Sequence, residues 1–163
     1  MRLTHIHYDF IAIVDFEKDH YKLLFRNDKI YANPPLQGSY RQSTGKFVTQ
    51  FVVPKDREFC EKMFSPEYII MHLSSNNSFS FNYSIADAAG NLYMKNMIIY
   101  QIDKRLHKYG LACSDVTESV REQRVLLNSL AYTFEQLIII NLITRDFTMH
   151  TRESVLQLSL IHI

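Results

Sequence analysis

The chain has few of the residues that interrupt secondary structure, with only 4 glycines and 4 prolines in 163 residues. It also has only 2 cysteines, Cys60 and Cys113, which fit no metal or redox spacing and are too few for a disulfide framework. We therefore expect two buried, reduced thiols. With 47% hydrophobic and 13% aromatic residues, the composition excludes a disordered linker and is typical of a packed globule with an aromatic-rich core.

Neither charge nor hydrophobicity is concentrated in one long stretch. The 18 basic and 17 acidic residues give a formal net charge of +1, and no segregated basic stretch is present to neutralise phosphates. We therefore expect no nucleic-acid partner. The longest apolar run, residues 137–143, is far shorter than the roughly 20 residues of a bilayer span, and the N-terminus lacks a signal-peptide pattern. These features predict no membrane span and a cytoplasmic location.

Two stretches, one near each end of the chain, resemble each other. Laid without gaps, Tyr8 falls on Phe134 and Asp15 on Asn141, and the same offset holds to the end of the match. In both copies an apolar run reaches a short polar turn and then alternates, which predicts two paired strands with a tight connection. One domain should therefore end before the second copy starts, and that second copy is too short to form its own core.

The remaining pattern predicts an α+β fold. After the first hairpin, residues 28–45 lack sustained periodicity and suit an irregular loop. Pro54 and Asp56 favour a helix over residues 54–64, and Ser65 is placed to cap a second helix. A long hairpin over residues 79–102 and a third apolar run then follow. We expect a five-stranded antiparallel sheet with helices on one face.

A further helix is predicted to begin just after Thr117. Ser119 and Glu122 have the spacing of a capping box, in which each side chain satisfies an orphan backbone amide. The stretch that follows has a heptad-like apolar seam typical of an amphipathic helix that pairs with a second copy. This seam consists of Val120, Leu127, Leu130 and Phe134.

The order of elements, with "VVPKDR" at residues 52–57 and "DVT" at residues 115–117, resembles a PAS domain. More narrowly, it resembles PAS modules that precede GGDEF (diguanylate cyclase) or histidine-kinase outputs in bacterial signalling proteins. That family commonly ends in Asp-Ile-Thr, and Val116 takes the middle place here. The resemblance implies a sensor domain over residues 6–117, a signalling helix over 118–134, and the truncated start of a second PAS domain over 135–157. Residues 158–163, "LSLIHI", resemble a translated sequencing adapter, so we expect a non-native tail.

The candidate catalytic and metal-binding groups all have simpler structural explanations. His5 and His7 share one strand face but lack a third ligand at a fixed spacing. Asp15, Asp19 and His20 form a charged hairpin tip, where solvation leaves nothing to shift their pKa values. We therefore predict no enzymatic activity within these residues, while the full-length protein would act as a diguanylate cyclase or histidine kinase.

Two further groups of residues have both a functional and a structural interpretation. Asp56 and Arg57 could bind an anion at a helix start, but dipole compensation and a surface ion pair explain them more simply. An aromatic set either lines a ligand cavity or forms plain core, and the sequence leaves both open. Its members are Phe79, Phe81, Tyr83, Tyr93 and Tyr100.

PAS domains bind haem, flavin or small metabolites between sheet and helices, so the resemblance raises the expectation of a cavity without identifying its ligand. We expect neither cofactor, because Cys60 lies outside the flavin motif and His72 is the only nearby candidate for a haem ligand.

Two functions remain open. The first is a homodimeric sensory module in which Asp115 and Thr117 fix where the signalling helix leaves the sheet and the helix seam relays the signal. The second is a ligand-free scaffold that dimerises and spaces neighbouring domains. Sequence alone does not separate them.

Overall fold

The computed structural model describes residues 8–32, 34–103, 105–133, 136–141, 146–151 and 155–158. The chain divides into two compact units between Thr117 and Glu118. Within the described residues, no helix is both long and apolar enough to cross a bilayer.

The first unit is built on one antiparallel sheet of six strands. Along the sheet the strands follow the order β3-β2-β1-β6-β5-β4, so that the first hairpin lies beside the last strand. The strands are β1 (Tyr8–Asp15), β2 (His20–Arg26), β3 (Gln37–Ser39), β4 (Ser78–Ala86), β5 (Leu92–Asp103) and β6 (Lys108–Asp115).

Three helices lie between β3 and β4 in the chain, which confirms the predicted α+β class. They are α1 (Tyr40–Gln50), α2 (Arg57–Phe64) and α3 (Pro66–Leu73). The helix predicted over residues 54–64 is present, but its start is a short 3-10 turn at Pro54–Asp56. Ser65 caps α3 as expected, because its side-chain oxygen accepts a hydrogen bond from the backbone amide of Tyr68 at 3.1 Å.

The predicted strand count of five and the predicted irregular loop over residues 28–45 are both wrong. That stretch contains β3, which pairs with β2, and the first part of α1. Three residues are too few to show strand alternation, and α1 carries Gly45 among polar residues and buries only Tyr40 and Val48. The signal in the sequence was Ser39, whose side chain caps α1 by accepting from the amide of Gln42 at 3.1 Å.

The hydrophobic core lies between the inner face of the sheet and the three helices. Phe64 of α2 contacts Phe81 and Tyr83 of β4 edge-on, at ring-centroid distances of 5.2 and 5.7 Å. Ile69 of α3 and Ile99 of β5 are fully buried beside them. The core is aromatic-rich, as the composition predicts.

Asp56 and Arg57 fasten this layer to the sheet. The Asp56 carboxylate accepts a hydrogen bond from the amide of Ser84 at 2.9 Å, and the Arg57 guanidinium donates to the carbonyl of Val52 at 3.1 Å. Each therefore makes a specific hydrogen bond to the backbone, and the structure gives no ion pair between them among the described residues. The structural interpretation of these residues holds, but the predicted surface ion pair was wrong.

The second unit contains α4 (Thr117–Thr133) except for its first residue, and a three-stranded antiparallel sheet in the order β7-β8-β9. The strands are β7 (Gln136–Asn141), β8 (Asp146–Thr151) and β9 (Val155–Leu158). The closing pair of the β7-β8 hairpin is Asn141 opposite Asp146, and the closing pair of β1-β2 is Asp15 opposite His20. The two hairpins therefore share the offset seen in the sequence. That this unit begins a second PAS domain stays a prediction.

Candidate functional site: a cavity between the sheet and α1

A cavity of about 460 Å³ lies in the first unit. Its floor is the inner face of β1, β2, β5 and β6, and its cover is α1 with the loop that precedes β3. Apolar side chains supply most of the wall, as is typical of small-molecule sites. Those on the sheet are Ala12, Val14, Leu23, Met97 and Leu111.

Hydrogen bonds hold the cover over the sheet. The Tyr21 hydroxyl of β2 donates to the carbonyl of Pro35 at 2.9 Å, which fixes the loop. The Tyr40 hydroxyl donates to the carbonyl of Phe64 at 2.8 Å, which joins α1 to α2. The Tyr40 side chain is buried, so the bond is shielded from water and both groups would be costly to leave unpaired.

Asp19 attaches the tip of the first hairpin to the start of α1. Its carboxylate accepts hydrogen bonds from the Ser39 hydroxyl and from the backbone amide of Arg41, the latter at 2.9 Å. Burial raises the pKa of Asp19, but these bonds outweigh it and bring the pKa below its usual value. The prediction of a purely solvated tip with unshifted groups was therefore wrong for Asp19.

The polar groups of the cavity come mainly from α1 and the loop before it. Ser43 donates to the Tyr21 hydroxyl at 3.4 Å, and Gln42 and Gln50 also line the wall. Lys46 is the only charged residue among the described ones that line the cavity, and it is exposed. A largely apolar ligand with a few hydrogen-bonding groups suits this wall.

The predicted aromatic set divides between core, cavity and the opposite face of the sheet. Tyr83 lines the cavity, and Phe81 is buried in the core next to it. Phe79 packs beside them, at the edge of α3. Tyr93 is half-buried and donates a hydrogen bond to Asp87 at 3.1 Å.

Tyr100, the remaining member of this aromatic set, lies on the opposite face of the sheet. In β5 it alternates with the inward-facing Met97 and Ile99, so its ring lies on the other face, over Gly110 of β6. A Cβ atom at Gly110 would come within 2.1 Å of the Tyr100 ring. Glycine leaves room for this ring, and Tyr100 is therefore not among the residues that line the cavity.

A buried charge cluster on β1, β5 and β6 was not predicted from the sequence. The Lys95 ammonium donates to Asp9 at 2.7 Å and to Asp115 at 2.9 Å. The side chains of Lys95 and Asp9 are each only 4% exposed, whereas Asp115 is 34% exposed. Lys95 occupies an inward-facing position between Tyr93 and Met97, and such a lysine requires a partner. A lysine at this inward-facing position was the signal in the sequence for a buried carboxylate partner.

A bulge in β1 places Asp9 in this cluster. Tyr8 pairs with Ser114 and Phe10 with Cys113, so Asp9 is an extra residue between them. The consecutive side chains of Asp9 and Phe10 consequently line the same small internal space. Alternation alone assigns them to opposite faces, so the sequence does not reveal this geometry.

The pKa values in the cluster follow from burial and pairing. Burial raises the pKa of Asp9, and the hydrogen bond and charge of Lys95 offset this only in part. Burial lowers the pKa of Lys95, but its two carboxylate partners outweigh that and raise it. For Asp115, burial raises the pKa, while hydrogen bonds from Thr117 and Lys95 bring it below its usual value.

The cluster continues into the start of α4. The Asp115 carboxylate accepts from the backbone amide of Thr117 at 2.9 Å, and the Thr117 hydroxyl accepts from the amide of Met94 at 2.9 Å. The helix begins at Thr117, so Ser119 lies within its first turn and does not serve as the predicted N-cap. Asp115 and Thr117 thus lie where β6 ends and α4 begins, and their role in a relay stays a prediction.

The described part of the predicted seam lies on α4. Val120 and Leu127 are half-buried, while Val125 and Leu126 are 65% and 59% exposed. The side chain of Leu130 and all of Phe134 lie outside the described residues, so the full seam stays a prediction.

The remaining candidates do not assemble into a site. His72 stacks on Tyr68 at 5.5 Å and does not line the cavity, which removes the one candidate haem ligand. No group of three or more potential ligands within the described ranges could hold a metal ion. His5 and His7 lie outside those ranges. Cys60 and Cys113 are buried and free, and burial raises the pKa of each thiol to about 12.

Comparison with solved structures gives a likeness at low sequence identity. A solved structure titled "Sensory Box Histidine Kinase/Response Regulator from Burkholderia thailandensis E264" is similar, with a TM-score of 0.43 and 12% sequence identity. The match covers 76% of this chain and 88% of that chain. No protein-family model matches the chain, and no curated protein matches it.

Proposed function

We propose that the first unit is a sensory module of the PAS type, which binds a small molecule and relays its occupancy through α4 to an output domain, a diguanylate cyclase or histidine kinase. The cavity of about 460 Å³ between the sheet and α1 carries this proposal. It lies where the sequence resemblance places a ligand, and its wall combines aromatic and aliphatic side chains with a few hydroxyl and amide groups. On this proposal the described residues bind the small molecule, and catalysis belongs to the output domain.

Strand β5 supplies the physical connection from the cavity to α4. Met97 lines the cavity, Lys95 binds Asp115, and Met94 binds Thr117, all within four residues of one strand. A ligand that displaces β5 therefore acts on the residues at which α4 begins. It shifts the position of α4 only to the extent that it binds one arrangement more tightly than the other.

Homodimerisation through α4 completes the proposal. Leu126, next to the predicted seam residue Leu127, is a large apolar side chain with most of its surface exposed, which supports a helix that contacts a second copy. Val125 is also exposed but lies on the other side of the helix. The predicted seam of Val120, Leu127, Leu130 and Phe134 supplies the relay between protomers. We place the module in the cytoplasm, in agreement with its two free, buried thiols.

A metabolite screen by thermal shift tests ligand binding, because a ligand that binds only the folded state stabilises it by RT ln(1 + [L]/Kd). For each hit, hydrogen exchange of the amides of residues 118–133 is measured with and without ligand. We expect raised melting temperature and altered exchange in α4. Ser43→Trp, which fills the cavity from α1, should abolish both effects, whereas Thr49→Trp on the exposed side of α1 should leave them unchanged.

The scaffold alternative predicts different results. A ligand-free spacer would dimerise in a sedimentation experiment and show no stabilisation by any metabolite. Ligand binding without any change in α4 exchange would retain the binding function and contradict the relay.

A further inference from the structure

Asp9 carries a buried carboxylate oxygen, Oδ1, that accepts no hydrogen bond of ordinary geometry, although the nearby backbone amide of Asp115 lowers the pKa of the same carboxylate. Lys95 donates to the Oδ2 atom of Asp9, and Oδ1 has no hydrogen-bond partner among the described residues. The side chain is only 4% exposed, so bulk water does not supply one. An unpaired buried carboxylate oxygen is costly, and native structures normally satisfy such groups.

A small internal space lies beside Asp9, with a volume of about 10 Å³. This is close to the least space that holds one water molecule, or one hydroxyl or amide group of a ligand. Lys95, Cys113 and Tyr83 also line it. Polar groups therefore form part of a wall that is otherwise apolar, with Phe10 and Ile85 among its other members.

The small space adjoins the large cavity. Four residues, Phe10, Ala32, Phe47 and Tyr83, line both of them. Three are aromatic side chains that turn about two torsions, and the fourth lies in the loop that covers the cavity. The two spaces are therefore neighbours that share these walls.

We propose that Asp9 Oδ1 accepts a hydrogen bond from a neutral donor, a hydroxyl or an amide N–H, on a ligand whose apolar body fills the large cavity. This assignment rests on the proposed function and names its ligand class: a largely apolar molecule with one terminal uncharged donor. The bond would join the ligand directly to the cluster of Asp9, Lys95 and Asp115 that leads to α4.

Burial around Asp9 selects a neutral donor over an ion. The Asp9 carboxylate repels an anionic ligand, and its own charge is already offset by Lys95 at 2.7 Å. An ammonium would have to give up its hydration in a site where the side chains of Asp9 and Lys95 are each only 4% exposed, and that desolvation is costly. A neutral hydroxyl avoids this cost and satisfies the orphan acceptor.

Matched pairs of phenylalkanols and their methyl ethers provide the test, from phenylpropanol to phenylhexanol. Each alcohol can donate a hydrogen bond and each ether cannot, while their apolar bodies are the same. Affinities are measured by titration calorimetry on the full chain. We expect the best alcohol to bind roughly tenfold or more tightly than its ether, because Asp9 is a charged acceptor.

Two variants test whether the preference for the alcohol over the ether depends on Asp9. In Asp9→Leu/Lys95→Met the buried ions are replaced by apolar side chains of similar size, and in Asp9→Asn the amide oxygen remains to pair with Lys95. Both should bind alcohol and ether equally, with folding verified by circular dichroism. Ser43→Trp should bind neither.

The outcomes separate the two proposals. Equal wild-type affinity for alcohol and ether would mean that Asp9 retains an internal water only, and this inference would be overturned while the cavity kept its role. An alcohol preference that persists in both Asp9 variants would also overturn it. Failure of every probe to bind would overturn this inference, whereas the proposed function is tested separately by the metabolite screen.

Discussion

Replacing Lys95 with methionine tests whether the buried charge cluster stabilises the sheet. Methionine has a similar length and no charge, so the substitution removes the ammonium with little change in packing. It leaves Asp9 buried without its charge partner, whereas Asp115, at 34% exposure, keeps its hydrogen bond from Thr117. The main cost of the variant is therefore the unpaired carboxylate of Asp9.

The expected loss is large for a domain of this size. Removing one partner of a buried ion pair costs about 3–5 kcal/mol, and the 4% exposure of both Lys95 and Asp9 places this pair in that class. The free energy of unfolding of a whole domain is only about 5–15 kcal/mol. At neutral pH we expect Lys95→Met to lose about 3–5 kcal/mol of it.

The loss should depend on pH in a defined direction. Burial already raises the pKa of Asp9 in the folded protein. The contribution of protonated Asp9 to the free energy of unfolding is therefore complete below the ordinary carboxyl pKa, and it is lost as the pH rises through the folded-state pKa. Without Lys95 the folded-state pKa of Asp9 rises further, so the variant loses more of its free energy of unfolding as the pH rises. The difference between variant and wild type should be greatest near neutral pH and smallest in acid, where Asp9 is protonated in both.

Urea unfolding monitored by tyrosine fluorescence suits this measurement, because the chain has no tryptophan and all but one of its 10 tyrosines precede α4. Asp9→Leu/Lys95→Met is the matched control and should recover most of the loss, since an apolar replacement of a buried pair is often neutral or stabilising. An equal loss in acid and at neutral pH would refute the reasoning, as would a double variant no more stable than Lys95→Met.

Three further predictions follow from single contacts. Gly110→Ala should lower the melting temperature because its Cβ atom meets the Tyr100 ring, and the loss should shrink in a Tyr100→Ala background; equal losses in both backgrounds would contradict this contact. Ser65→Ala should cost about 0.5–2 kcal/mol in urea unfolding by removing the cap of α3, while Ser65→Thr should retain most of it. Cys60 and Cys113, whose pKa values are raised to about 12, should react with a thiol reagent at neutral pH only as fast as the protein unfolds, and fast labelling of the folded protein would contradict their burial.

Much of the fold was predictable because its signals are local. The alternation of β4, the proline and serine at the starts of the helical segments, and the glycine-containing turn before β5 each act within a few residues. The exceptions are β3 and α1. β3 is defined by its pairing with β2, and α1 is a weakly amphipathic helix that depends on tertiary contacts such as the hydrogen bond from Tyr40 to Phe64.

The site was less predictable, for a physical reason. Its walls come from strands far apart in the chain, so which aromatic residue lines the cavity depends on the register of β4 and β5, and this register assigned Tyr83 inward and Tyr100 outward. Asp9 enters the charge cluster only through a bulge, which shifts alternation by one residue. The lysine at an inward-facing position of β5 indicated a buried partner, but not which one.

The cavity wall combines buried sheet residues with exposed residues of α1, and this difference affects how such a sequence can change. The sheet residues of the wall belong to the core, and changing them disturbs the fold, whereas Gln42, Lys46 and Gln50 of α1 line the cavity and are themselves exposed to solvent. Surface substitutions of that kind usually change stability by less than about 0.5 kcal/mol. Substitutions along α1 can therefore change the lining of the cavity while the sheet, and the helix that leaves it, stay the same.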